Sequence, residues 1–143
     1  MTHRSRSILL LPAGVAVGIL GFLAPAAGAV SAHFVGTPTA TSSGSSLTVK
    51  GKEAGLGNQQ TVRISVTADA QCVNRGGNDP SAANKQSTSG EAISPVQNGK
   101  ANFTVTVTAT FKPKCSPPMT LVWSNVVVTD TGNRISVTLP GPF

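Results

Sequence analysis

Tyrosine is absent from the chain, and Trp123 is its only tryptophan. Sugar-binding platforms are built from exposed Tyr and Trp rings, so that class is disfavoured, and Trp123 in its Val-rich stretch is expected in the core. Histidine is nearly missing, with only His3 and His33. A Ser or Thr nucleophile needs an oriented imidazole within hydrogen-bond reach, and neither position offers one. Acids are few as well: Glu53, Asp69, Asp79, Glu91 and Asp130. They are spread out, with Asp69 on an outward strand position and the other four expected in or near turns. The paired carboxylates of glycoside hydrolysis are therefore not expected. No stretch beyond the first residues carries an apolar stripe of helical period. The chain is expected to be non-catalytic, with no cofactor and no metal.

The formal charge is +6. The basic residues after the first segment are Lys50, Lys52, Arg63, Arg75, Lys85, Lys100, Lys112, Lys114 and Arg134. They are scattered along the chain and are not interleaved with aromatics, which argues against a nucleic-acid partner. The expected surface is mildly cationic, with weak attraction to an anionic cell wall or membrane as the open alternative.

Residues 1–32 read as an export signal. His3, Arg4 and Arg6 give a positive start, an apolar run follows from Ile8 to Leu23, and small residues close it from Ala26 to Ala32. These are the three parts of a secretory signal peptide. Cleavage is expected between Ala32 and His33, with Ala29 as the second choice. The competing reading is a retained anchor, since a bilayer needs about 20 apolar residues. Pro12, Pro25 and the glycines of the run weaken that reading, and no Lys or Arg cluster follows it. The expected location is secreted, with association with the cell envelope left open.

Gly36 to Ser46 is Thr, Ser, Gly and Pro with little else apolar, and residues 33–46 read as a flexible tether. A single domain is expected over 47–143. Period-two patterning dominates it. Val62, Ile64, Val66, Ala68 and Ala70 alternate with polar residues, as do Phe103, Val105, Val107, Ala109 and Phe111, and then Ile135, Val137 and Leu139. Leu47 and Val49 mark a shorter strand. Such alternation means strands with one buried and one wet face. In Thr120–Asp130 the parity changes: Leu121 and Trp123 share one, Val126 and Val128 the other. Either a bulge near Ser124 and Asn125 turns both sets inward, or the strand is buried on both faces. Asn98-Gly99 suits a type I′ hairpin, and Asp130-Thr131-Gly132-Asn133 a second turn. The fold class is all-β: an antiparallel, immunoglobulin-like sandwich of five to seven strands. Trp123 falls after both cysteines rather than between them, so the immunoglobulin signature itself is absent.

Cys72 and Cys115 each continue the inward parity of a strand, and in an exported chain two such cysteines should pair. Free thiols or a redox pair are the alternative, without a C-x-x-C motif to support it. Asn74, Asn78 and Asp79 could offer oxygen ligands to Ca²⁺, but these residues are also what a turn requires. Thr104, Thr106, Thr108 and Thr110 form a row of the kind seen on ice-binding surfaces, which β-propensity alone also selects. The stretch Val73–Val96 carries little apolar pattern and reads as a long loop, with a short strand at Ile93 and Val96 as the alternative, and is the first choice for a partner-contacting surface. Asn102-Phe103-Thr104 is a formal glycosylation sequon inside a strand and is discounted.

The loop Lys112–Thr120 holds three prolines beside Cys115. Its Cys115, Pro117, Pro118 and Met119 resemble the Cys-Pro-Met loop of the subtilisin-inhibitor family of secreted bacterial proteins, though that family has four cysteines. The resemblance implies a rigid loop presented to a protease around Met119. A second resemblance rests on Gly55-Leu56-Gly57-Asn58, Cys72-Val73-Asn74, Gly76-Gly77-Asn78, Asn98-Gly99, Cys115 with Pro117, and Trp123. Together, over about 47–139, they resemble small secreted β-sandwich proteins of actinomycete-type bacteria. That resemblance assigns no site residue. The expectation is a secreted, non-catalytic module that binds or builds at or beyond the cell surface. Its partner would be an extracellular protein or the cell wall, with no membrane contact after cleavage. The alternative is the protease inhibitor using Met119.

Overall fold

The computed structural model describes residues 31–74 and 84–143. The expected signal segment, Asn78 and Asp79 lie outside the described residues, apart from the Ala32–His33 junction. The described residues form eight strands: β1 (His33–Phe34), β2 (Thr39–Ser43), β3 (Ser46–Ala54), β4 (Thr61–Val73), β5 (Lys85–Pro95), β6 (Lys100–Thr108), β7 (Thr120–Asp130) and β8 (Ile135–Leu139). All pairings are antiparallel, and they form two sheets. In sheet A, β3 is flanked by β6 on one side and by β1 and β2, end to end, on the other. Sheet B has the order β5-β4-β7-β8. The expected all-β sandwich is therefore present. Its strand count reaches the expected range when β1 and β2 are taken as one interrupted edge.

The alternation seen in the sequence is the reason for the layering. Every second residue of β4 and β6 is buried, with Val62, Ile64, Val66, Ala68 and Ala70 facing Phe103, Val105 and Val107 across the core. Each fully buried Val, Leu, Ile or Phe contributes about 1.5–3 kcal/mol. In β7 the bulge reading holds. Thr67 pairs with Val127 while Asp69 pairs with Ser124, so β7 carries one extra residue. Asn125 takes it up with φ of 49°, and Trp123, Val126 and Val128 all turn inward. Trp123 is a core residue, as expected.

β5 and β6 leave a two-residue turn together and then separate into different sheets. Asn98 and Gly99 have φ of 51° and 70°, as a type I′ turn requires, and Gln97 and Lys100 exchange backbone hydrogen bonds of 2.8 and 3.0 Å. Along the seam β5 crosses so close to β6 that a Cβ on Gly90 would stand 2.7 Å from the Thr106 carbonyl oxygen. Thr88 Oγ1 donates to Thr108 O, and the Thr110 backbone N–H donates to Gln86 Oε1.

Two expectations are corrected here. Residues 33–46 are not a tether: they form the edge of sheet A, paired with β3 from Ala54 back to Ser46. An edge strand is held by its backbone ladder and needs few apolar residues. Here Phe34 packs edge-on against Phe103, with centroids 5.9 Å apart, and Ala40 is half-buried. The domain accordingly reaches His33 rather than starting at residue 47. Nor is 73–96 one long loop, because Lys85–Pro95 is a strand fully paired with β4.

Candidate functional site

Sheet A presents an outer face made from alternate residues of three strands. The register sets Thr39, Lys50 and Thr104 in one row, then Thr41, Thr48 and Thr106, then Ser43, Ser46 and Thr108. Hydroxyls are tied laterally: Ser46 Oγ lies 3.0 Å from Thr108 Oγ1, and Thr48 Oγ1 lies 3.2 Å from Thr106 Oγ1. Beyond the Lys50 row the same face carries Lys52 opposite Asn102, and Lys100 opposite Ala54. Lys50 and Lys52 are two residues apart on one strand, about 7 Å, and Lys100 lies diagonal to Lys52 at a similar spacing. All three lysines are exposed. Among the described residues no carboxylate stands on this face.

Among the described residues, the exposed Glu91 and the half-buried Asp69 sit on the other sheet and are engaged there. Glu91 on β5 pairs with Arg63 on β4 at 3.1 Å. Asp69 accepts hydrogen bonds from Asn125 Nδ2 (2.8 Å) and from the Ser87 hydroxyl, and these hold its carboxyl below the usual range. Lysines that look scattered in sequence are thus gathered, because β3 and β6 are neighbours. The threonine row belongs to the same face, except that Thr110 falls past the end of β6.

The remaining two described acids form a site that their sequence positions do not suggest. Glu53 and Asp130 were expected near turns and apart. Glu53 instead continues the inward parity of Leu47, Val49 and Gly51 on β3, and Asp130 continues that of Val126 and Val128 on β7. Both are 0% exposed. Asp130 is well supplied with donors: the backbone N–H groups of Gly132 (2.8 Å) and Asn133 (3.2 Å) reach Oδ1, and Asn133 Nδ2 reaches Oδ2 at 2.5 Å. Asn133 is held in turn by Gln59 Nε2 at 2.8 Å. Among the described residues no donor reaches either oxygen of Glu53. A carboxyl buried without a donor is favoured in its protonated form. Burial first, and then the Asp130 carboxylate, push Glu53 up to about 8. Burial works to raise Asp130 too, but the bonds from Glu53, Asn133 and Gly132 outweigh it and hold Asp130 below its usual value. Two buried carboxyls, one from each sheet, therefore differ in protonation, with the proton kept on Glu53 up to about 8.

Cys72 and Cys115 are bonded, with Cα atoms 5.7 Å apart, and tie the end of β4 to the segment after β6. At the expected cleavage junction, His33 is in β1 and its Nδ1 lies 2.7 Å from Ser31 O. The Pro-rich loop is not extended at Met119. A backbone bond from Met119 N–H to Ser116 O (3.0 Å) closes a turn there, and Met119 is half-buried with its Sδ 3.7 Å from Cys72 Sγ. No group of three or more His, Cys, Asp or Glu is placed to hold a metal ion among the described residues.

No family model, curated protein or solved structure matches the chain. Function must therefore be argued from the chemistry of these surfaces.

Proposed function

We propose that the chain is an exported, non-catalytic module that adheres to polyanionic material at or beyond the cell surface through the outer face of sheet A. The observation that carries this reading is the segregation of charge. Among the described residues, three exposed ammonium groups share a hydroxyl-covered face free of carboxylate, while Glu91 and Asp69 are on sheet B and already engaged. Lysines whose backbone positions stand about 7 Å apart on a sheet can reach successive charges of an extended anionic polymer. The hydroxyls around them donate to its oxygens. The disulfide and the signal-like first segment agree with an extracellular setting.

The test is retention on immobilised dextran sulfate, with unsulfated dextran as the control matrix. Each ammonium near an anionic surface is worth about 1 kcal/mol. The triple variant Lys50→Ser, Lys52→Ser, Lys100→Ser should therefore bind roughly a hundredfold more weakly. The variant Lys112→Ser, Lys114→Ser should bind much as the unaltered protein does. Retention that ignores salt, or a triple variant that elutes with the unaltered protein, refutes the reading. Export is tested separately by the intact mass of the protein from culture medium, expected to begin at His33 with the disulfide formed.

A further inference from the structure

A groove of about 470 Å³ opens at one end of the sandwich. It lies where the β2–β3 turn (Gly44, Ser45), the segment that follows β6, and Leu121 of β7 come together. Its position follows from the fold. After Thr108 the chain leaves sheet A to cross to β7, and the Cys72–Cys115 bond draws that crossing toward the end of β4. Ala109 and Phe111 are core residues, only 3% and 7% exposed, and they also line the groove, so it opens onto the hydrophobic core itself. Leu121, Pro113 and the Cys115 side of the disulfide add further apolar surface. The size lies within the range of small-molecule sites.

The charged part of the lining is of one sign, beside the neutral hydroxyls of Ser45 and Thr110. Lys112 and Lys114 flank Pro113, both are exposed, and among the described residues no carboxylate lines the groove. Pro113 fixes the backbone between them, so the two ammonium groups are carried on a stiff segment. An apolar slot that opens onto the core and carries only cations complements a molecule with an apolar tail and one anionic head. A neutral tail would leave the ammonium groups unused, and a cationic head would be repelled by them. We propose that this groove is a binding site for a free, single-chain carboxylate of the fatty-acid class, with the tail against Phe111 and Leu121 and the head at Lys112 and Lys114. The site is distinct from the cationic face described above. It lies at the Ser46–Thr108 end of sheet A, whereas Lys52 and Lys100 lie at the Ala54 end.

The experiment is an amide chemical-shift titration of the full folded domain with three chains of equal length, each kept below its micelle concentration: dodecanoate, dodecanol and dodecyltrimethylammonium. Dodecanoate is expected to saturate a single site, with shifts confined to Gly44, Ser45, 109–115 and Leu121. Dodecanol should bind about tenfold more weakly and the cation more weakly still. In the variant Lys112→Ser, Lys114→Ser, whose altered residues are on the surface, dodecanoate should fall to the level of dodecanol while dodecanol is unchanged. Three outcomes overturn the proposal: no saturable shifts, shifts centred elsewhere such as at the exposed Ile93 or Val35, or equal affinity for the three chains. None of these bears on retention by dextran sulfate, so failure here and failure of the surface reading are told apart.

Discussion

Replacing Glu53 by glutamine tests the buried proton directly, and the sign of the effect depends on pH. In the folded protein Glu53 is held up at about 8 against an ordinary value of 4.5. Between those two values the unfolded chain has released its proton while the folded one keeps it. The folded state therefore binds more protons, and stability must fall as pH rises through the window. Each unit of pH costs about 1.4 kcal/mol, so the loss is about 3 kcal/mol by neutral pH and about 5 kcal/mol once Glu53 ionises in the fold. Asp130 acts at the other end. Its folded value is lowered, so its contribution is present above the unfolded value and is lost as acid protonates it. Maximum stability should thus fall between the two windows, in mildly acidic solution.

Glu53→Gln keeps the shape, offers an amide N–H to Asp130 in place of the acid proton, and does not titrate. In mildly acidic buffer it should match the unaltered protein or be slightly less stable. In mildly alkaline buffer it should be more stable by about 3 kcal/mol. With urea slopes of about 1–3 kcal/mol/M for a domain of this size, the midpoint should rise by about 1–3 M. The assay is urea unfolding followed by Trp123 fluorescence over a series of buffers. If the unaltered protein shows no loss of stability from mildly acid to mildly alkaline pH, the proton is not held on Glu53. If Glu53→Gln destabilises equally throughout, its role is shape alone.

Gly90→Ala would place a methyl group against the Thr106 carbonyl, where the two sheets meet and backbone cannot yield cheaply. A cost of about 1–3 kcal/mol in thermal or urea unfolding is expected, and a neutral result would show that the seam is looser than described. Removing the disulfide with Cys72→Ser and Cys115→Ser frees a sequence separation of 43 residues. Chain entropy predicts a loss of about 4 kcal/mol, read from denaturant midpoints and matched by reduction of the unaltered protein.

What was legible in the sequence, and what was not, follows from where side chains must supply the signal. β4 and β6 lie in the middle of the core, so every second position must be apolar, and the alternation of Val62–Ala70 and Phe103–Val107 declares them. The inward parity of Cys72 and the positive φ demanded by Asn98-Gly99 were readable for the same reason: one local requirement, one residue type. β2 is an edge held by its ladder, with Ala40 as its one half-buried apolar residue, so nothing in Thr39–Ser43 marks it. β5 was missed because its inward residues, Gln86, Thr88, Gly90, Ala92 and Ser94, face the β6 seam, where closeness favours small or polar groups over apolar ones. Glu53 was hidden by its charge: a carboxylate at the end of Leu47, Val49 and Gly51 reads as the place where a strand surfaces. Only Asp130 on the opposite sheet makes its burial intelligible, and that juxtaposition is made by tertiary packing. The lysine face has the same origin. Lys50, Lys52 and Lys100 become one surface through the pairing of β3 with β6, a register that no local pattern in either strand specifies. The identity of a core strand is thus a local property, whereas the edge β2 and the seam strand β5 carry little local signal. Both candidate chemistries, the buried proton and the cationic face, exist only between strands far apart in sequence.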